Sequence, residues 1–304
     1  MNITITGGSG FIGSNLVRLL HKKHDITIFD VNKIQFNDIT FVQGDITDRK
    51  AADIAIKNAD IVIHLAATLG VINTEENPIK TLDTNIFGTK NVLDACKNNH
   101  VKKIIFSSSS EIYGEPETIP INETDKVMPI TNYGISKLAA EEYIKAYSKN
   151  FGITYTILRL FNIYGEKQRN EWVMSEFVNQ ATKNQEIVIH GDGSQIRAFC
   201  HVNDAVKGFE MALEKGNNDT FNIGNDTEPV SIKELAKRII TLSNSTSTMK
   251  LLPFEKSNRD RNEIINRAPN IEKVKKELGY KPEVSLNEGI KKIINIKIKK
   301  LLDN

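Results

Sequence analysis

Three groups of residues have types and spacings suited to chemistry. TGGSGFIG places Gly7, Gly10 and Gly13 where the apolar segment ITIT gives way to residues with helical spacing. A chain that turns there and presses its backbone against an anion has no room for a Cβ, and a helix N-terminus offers unpaired N–H donors. This predicts a pyrophosphate cradle that includes Phe11 and Ile12 beside the glycines. YGISK sets Tyr133 and Lys137 four residues apart, on one face of a helix. A run of serines, 107–110, ends an apolar segment upstream. A tyrosine acts as a general base near neutral pH only if its pKa falls well below about 10. An ammonium about 4 Å away, at an effective dielectric near 20, supplies about 4 kcal/mol and lowers that pKa by roughly 3. Tyr133 would then take a proton from a substrate hydroxyl while a serine holds the same oxygen.

These groups need elements to position them. ITIT (3–6), DITIFD (25–30), ITFVQGD (39–45), ADIVIHLAA (59–67), VKKIIFSSSS (101–110) and ITYTILRLFNIYG (153–165) read as strands. Residues 11–22, about 48–58, 78–99 and about 132–150 have helical spacing. ADIVIHLAA is almost continuously apolar, as expected of a parallel strand covered on both faces. The alternation predicts an α/β fold, a Rossmann-type doubly wound parallel sheet with right-handed crossovers. Ligands bind at the carboxyl edge of such a sheet, where the serines lie. Asp30 ends the second strand, 17 residues after Gly13. A carboxylate there accepts hydrogen bonds from both ribose hydroxyls and repels a 2′-phosphate, so the expected cofactor is NAD rather than NADP. Asp45 and Ile46 are expected to flank the adenine, and Leu65, Ala66, Ala67 and Ser107 to line the same edge.

After residue 165 the rhythm breaks. Helices are expected over 170–185, 201–215, 231–242, 271–279 and 286–302, with strands in EIVIHGDGS and over 220–225. The reading is an NAD-binding domain over 1–166 that also receives about 198–225. Residues 167–197 and 226–304 form a smaller C-terminal α/β substrate lobe.

Composition removes other classes. The chain has 304 residues and a net charge of +2, which argues against a nucleic-acid binder held by bulk charge. Its two cysteines, Cys96 and Cys200, make neither a disulfide framework nor a CxxC zinc site, and its six histidines lack ligand spacing. MNITITGGSG has no basic leader, and no apolar run is long enough to span a bilayer. The expectation is a soluble cytoplasmic protein without metal, membrane or nucleic acid.

Taken together, TGGSGFIG, Asp30, the strand serines, YGISK and RLFNIYG resemble the extended short-chain dehydrogenase/reductase superfamily. More narrowly, they resemble its NAD-dependent nucleotide-sugar epimerase/dehydratase family, over nearly the whole chain. The resemblance implies tightly bound NAD and oxidation at sugar C4 to a transient 4-keto intermediate. It implies a catalytic triad of Ser109, Tyr133 and Lys137. Asn85, in TNIFGT, matches a family asparagine near the cofactor and the catalytic serine. Asn162 and Arg197 match positions that contact the nucleotide diphosphate, with Arg259 or Arg261 joining them. Arginine suits phosphate oxygens through its bidentate fork.

The residues beside Ser109 bear on the subfamily. The 4,6-dehydratases carry Thr-Asp-Glu, whereas this chain has Ser109-Ser110-Glu111, which keeps the Glu and lacks the Asp. The UDP-glucuronate decarboxylases carry Thr-Ser-Glu and an arginine in RxPxI, which Arg267 in NRAPNI matches. YGISK, the GEP after EIY, and Ser109 look more like 4-epimerases. The order of expectation is a UDP-sugar 4-epimerase, then a decarboxylase, then a dehydratase, with Ser110 and Glu111 at the sugar. Outside enzymes, the alternative is a non-catalytic NAD-sensing protein on the same fold. The family also implies a homodimer through helices 78–99 and 132–150. His64 and His201 are expected to be structural and Cys200 to be buried packing. Trp172 is read as a pocket wall or a core anchor, and the basic C-terminal stretch as a docked helix rather than a membrane-surface one.

Overall fold

Six strands alternate with helices through the first 160 residues: β1 (Asn2–Thr6), β2 (Asp25–Asp30), β3 (Thr40–Gln43), β4 (Ile61–His64), β5 (Lys103–Ser109) and β6 (Thr154–Leu160). Shorter strands follow: β7 (Ile163–Tyr164), β8 (Ile187–His190), β9 (Ile196–Ala198), β10 (Cys200–His201), β11 (Asp219–Ile223), β12 (Pro229–Ser231), β13 (Met249–Leu252) and β14 (Asn266–Arg267). This computed structural model describes residues 1–34, 36, 38–70, 74, 76–256 and 264–302. β11 returns to the main sheet beside β6, giving seven strands in the order β11-β6-β5-β4-β1-β2-β3. All its pairings are parallel, so the chain adopts the expected Rossmann-type α/β fold. The chain runs outward from β1 through β2 to β3, then crosses to β4 on the other side. The carboxyl ends of β1 and β4 therefore flank the crevice where ligands bind in open sheets.

Alternate residues of the strands face opposite layers. Ile3, Ile5, Ile61 and Ile63 pack with Leu16, Val17, Val206 and Phe209 from helices Phe11–Leu20 and Val202–Ala212. Phe29, Val62, Ile104 and Ile157 pack on the other face with Ala52, Val92, Leu93 and Ile144. Those residues come from helices Arg49–Ile56, Gly88–Asn98 and Asn132–Phe151. The last of these starts at Thr131, whose Oγ1 accepts from Gly134 N at 3.0 Å, and stops at Gly152 in the left-handed region. Side-chain oxygens satisfy first-turn amides in this way, and glycine tolerates positive φ at a helix end.

A second core lies apart from the sheet. Phe177 and Val178 of helix Val173–Thr182, Leu235 and Ile239 of helix Ile232–Leu242, and Ile187 and Ile189 of β8 form it. Helix Leu286–Leu302 docks there through Leu286, Ile290, Ile293 and Ile294, which accounts for its apolar stripe. Two expectations are corrected. The segment 153–165 is not one strand: Asn162 sits at φ +43° and turns the chain, so β7 pairs with β10. The helix expected over 78–99 contains a π-helical turn, Asp83–Phe87, of the kind often found at functional sites. That turn carries Asn85, which is buried.

Beneath the carboxyl end of β5 lies a buried ion pair. Glu141 accepts from Arg159 Nε at 3.1 Å and Nη2 at 2.8 Å, and from Ser108 Oγ at 2.6 Å. Arg159 Nη1 also donates to Tyr113 Oη at 2.8 Å and to the Glu123 carbonyl at 3.0 Å. Tyr113 in turn donates to Asn222 Oδ1 on β11. The cluster joins helix Asn132–Phe151 to β5, β6 and β11. Removing one partner from such a pair costs about 3–5 kcal/mol, because it strands a charge in a dry interior.

Candidate active site

The glycine loop is shaped by contacts that exclude side chains. Gly7 has φ +71°, and a Cβ there would lie 2.7 Å from Ala66 N. A Cβ on Gly13 would lie 2.2 Å from the Gly7 carbonyl oxygen. Gly10 precedes helix Phe11–Leu20 and brings no side-chain cap. The amides of Phe11, Ile12 and Gly13 thus begin the helix without intrahelical partners, as donors suited to an anion. Asp30 stands at the end of β2, where Oδ2 accepts from Ser9 N at 3.0 Å and Oδ1 from Asn32 N at 2.9 Å. The acidic side chain is thereby fixed beside the loop. These features fit a dinucleotide, with the loop amides on the pyrophosphate and Asp30 on the ribose. At β4, Thr6 accepts from Ala66 N at 3.2 Å and bonds His64 Nδ1 at 2.6 Å, which holds Leu65 and Ala66 against the glycines. Ala67 follows, half-buried. Ile46 is buried against Gly88, whereas Asp45 is exposed and accepts from Thr47 N and Oγ1, both at 2.9 Å.

Asn85 joins this edge to helix Asn132–Phe151. Its Oδ1 accepts from Thr68 N at 2.8 Å, and its Nδ2 donates to Thr68 O at 3.0 Å and to Ser136 Oγ at 2.9 Å. Ser136 donates to the Tyr133 carbonyl at 2.8 Å. The segment after β4 and the start of helix Asn132–Phe151 are therefore tied by one buried amide.

Tyr133, Ser109 and Lys137 meet at the end of β5. Ser109 stands close enough to Tyr133 for its hydroxyl to draw the phenol's pKa down. Ser109 Oγ also accepts from Glu111 N at 3.2 Å. Lys137 is buried and donates to the Ser107 carbonyl at 2.8 Å, with Nζ 5.7 Å from the centre of the Tyr133 ring. The charge balance differs from the sequence expectation. Burial and then the Glu111 carboxylate push Tyr133 upward, while the Ser109 hydroxyl and Arg267 act in the other direction. Burial pushes Lys137 down to about 7, although Glu141 opposes it. The ammonium is directed at the Ser107 carbonyl rather than at the phenol.

A cavity of about 500 Å³ opens over Tyr133. Glu111, Asn162, Arg197 and Arg267 line it, and so does Trp172, which is a pocket wall rather than a core anchor. Arg197 and Arg267 are partners in the β9–β14 register, so both approach the cavity from one sheet face. Glu111 accepts from Thr131 Oγ1 at 3.0 Å and lies 3.5 Å from Arg267 Nη1. Ser110 is buried. Arg259 and Arg261 lie outside the described residues. Asn162 turns its side chain to the Ala198 carbonyl at 3.4 Å. Thr131 and Glu141 were not singled out by the sequence reading; the position of Thr131 just before a helix could have flagged it as a cap.

The other residues weighed in the sequence have structural settings. His64 is fully buried between Thr6 and Thr89 and is pushed down to about 3 by burial. His201 caps helix Val202–Ala212 by accepting from Asn203 N. Cys200 is buried 3.4 Å from Tyr280 Oη, and burial raises its thiol to about 12. Among the described residues, no helix is long and apolar enough to cross a membrane, and no group of three His, Cys, Asp or Glu is placed to hold a metal.

A Rossmann sheet with a glycine cradle and a Ser–Tyr–Lys cluster defines a class of nucleotide-dependent enzymes, and sequence comparison narrows it. The profile of the NAD dependent epimerase/dehydratase family matches residues 3–224. A putative UDP-glucose 4-epimerase of Methanocaldococcus jannaschii is 38% identical, covering 96% of this chain and 97% of its own. A UDP-N-acetyl-alpha-D-glucosaminuronate decarboxylase of Bacillus cytotoxicus is 36% identical, covering 95% of each. The crystal structure of a Thermotoga maritima UDP-glucose 4-epimerase with UDP-glucose has a TM-score of 0.93 at 30% identity, covering 99% of this chain and 100% of that one. The chain belongs to the NAD-dependent epimerase/dehydratase family of enzymes.

Asp30 gives a direct test of the cofactor site. Asp30→Ala is expected to weaken NAD at least tenfold and to narrow the preference over NADP, by removing about 1.4 kcal/mol or more of ribose recognition. Titration calorimetry with both cofactors checks this; unchanged NAD affinity would remove Asp30 from the site.

Proposed function

We propose that this enzyme is a nucleotide-sugar 4-epimerase that takes a UDP-sugar through a transient 4-keto intermediate. The observation that carries this reading is the pairing of Tyr133 and Ser109 under a cavity in which position 110 offers no acid. Ser110 is buried and its hydroxyl is a poor proton donor to a leaving group. Glu111 is occupied by Thr131 and Arg267. Elimination of water needs an acid at the leaving oxygen, whereas epimerisation does not.

When bound, NAD would accept the C4 hydride and give it back to the other face, and its oxidised ring would carry a positive charge that the side chains alone do not give Tyr133. Tyr133 Oη takes the proton from the sugar O4, and Ser109 Oγ holds that oxygen through a hydrogen bond. Lys137, which burial holds down to about 7, lies beside the Tyr133 ring with Nζ 5.7 Å from its centre. Arg197 and Arg267, side by side in the register, hold the diphosphate while the 4-keto sugar turns and presents its other face. The proton on Tyr133 then returns to O4. A cavity of about 500 Å³ leaves the sugar room to turn.

A UDP-uronate decarboxylase is the second reading, favoured by one observation: Arg267 lines the cavity beside Glu111. A homodimer is part of the proposal, supported by the exposed Ile79, Phe87 and Ile135 on the Pro78–Asn98 and Asn132–Phe151 segments. Light scattering is expected to give twice the 34.1 kDa chain mass, and a mass of one chain would refute it.

The test of function is incubation with UDP-glucose, UDP-N-acetylglucosamine, UDP-glucuronate and dTDP-glucose, read by mass spectrometry and proton NMR. An unchanged mass with a new C4 stereoisomer is expected. Loss of carbon dioxide would replace the epimerase reading with the decarboxylase one, and loss of water would replace it with a dehydratase. Tyr133→Phe is expected to lower kcat by about 10²–10⁴-fold with NAD still bound.

A further inference from the structure

Outside the cavity, an exposed carboxylate grips the strand that carries Arg267. Glu115 follows Gly114, at which φ is +64° and a Cβ would lie 2.1 Å from the Met128 carbonyl oxygen. The backbone turn is thus fixed where Glu115 leaves it. Its Oε2 accepts from Ile265 N at 2.5 Å and its Oε1 from Asn266 N at 3.2 Å. The two residues lie 150 and 151 positions away in the chain. The other side of the same peptide faces inward: the Ile265 carbonyl accepts from Ile196 N at 2.9 Å and from Arg197 Nη1 at 3.1 Å. The next residues, Asn266 and Arg267, pair with Ile196 and Arg197. Arg267 then reaches Glu111 at 3.5 Å, and its buried Nε has no hydrogen-bond partner within the protein.

We propose that Glu115 is a positioning residue for anion binding: it latches the 265–267 strand to the loop after β5 and so sets Arg197 and Arg267 at the cavity wall. The chemistry follows from the bonds. A carboxylate accepting two consecutive backbone amides is a charge-assisted clamp, stronger than a neutral pair. It pulls the strand toward the Rossmann side, where Glu111 and Tyr133 stand. Without it, β14 keeps its two-residue pairing with β9, the bonds to the Ile265 carbonyl and the Ile121–Ala268 bond, but Ile265 and Asn266 lose their charged anchor to the loop after β5. Arg267 is then less firmly placed against Glu111 and Arg197. The ligand is a nucleoside diphosphate or its sugar ester, so this inference rests on the proposed function for the ligand but not for the latch itself.

Two measurements on the full-length protein separate these. Amide exchange followed by mass spectrometry reads the latch without any ligand. In Glu115→Ala, exchange at Ile265 and Asn266 is expected to speed up about tenfold or more, as for loss of a charge-assisted bond, with Glu115→Gln between the two. Unchanged exchange overturns the latch. Calorimetry with UDP, in the presence of NAD, reads positioning through a double-mutant cycle. Glu115→Ala is expected to weaken UDP about 5–10-fold in the wild-type background and less than about twofold in Arg267→Met, since coupled residues are not additive. Equal losses in both backgrounds, or none in either, overturn the positioning role and leave Glu115 a local fastener. Wild-type protein that fails to bind UDP refutes the proposed function, while the exchange result still decides the latch.

Discussion

Arg159 claims Glu141, and the rest of the site depends on that choice. Glu141 lies one helical turn beyond Lys137, at the spacing where a lysine and a carboxylate ordinarily pair. Here both carboxylate oxygens are spent on Arg159, and one also accepts from Ser108. Lys137 is left with a neutral partner, the Ser107 carbonyl. Burial disfavours the charged ammonium and lowers its pKa, and the Glu141 carboxylate only partly opposes this. The same pair fixes Ser108, and through it the strand end that presents Ser109. One buried ion pair therefore holds the strand end that presents the serine and engages both oxygens of the carboxylate one turn from the lysine.

The sheet makes this arrangement possible. Parallel strands bring residues far apart in sequence to one edge, so Thr6, Leu65, Ser109 and the glycine loop share a rim. The cradle is rigid because its glycines touch backbone on several sides. Arg197 and Arg267 reach the cavity from the short paired strands β9 and β14, outside the main sheet.

Much of this was legible in the sequence, for identifiable reasons. Segments with strong local pattern were found close to their ends: DITIFD is β2, and the helix expected over 132–150 runs Asn132–Phe151. Gly7 and Gly13 are recognisable because their requirement for no Cβ is a backbone property that the residue type itself records. What could not be read were features made by distant partners. β9, β10, β12, β13 and β14 have two to four residues each, too few to show a period, and exist because of their pairings. Asn162 breaks a promising strand through one positive φ. The ion pair of Glu141 and Arg159 joins ordinary-looking residues from two elements. The upward direction of the Tyr133 shift is not legible in the sequence, because spacing gives the distance between charges but not the burial of each. Burial is a tertiary quantity, and at this site it outweighs the pairwise attraction.

The ionisation of Lys137 tests this balance most directly. Protein labelled with carbon-13 at the lysine side chains can be titrated by NMR, with Lys137→Met identifying the resonance. A midpoint near 7 is expected, because burial of the ammonium outweighs the attraction of Glu141. A midpoint at the ordinary lysine value of 10.5 would contradict it, and would mean that Glu141 or solvent stabilises the charge after all.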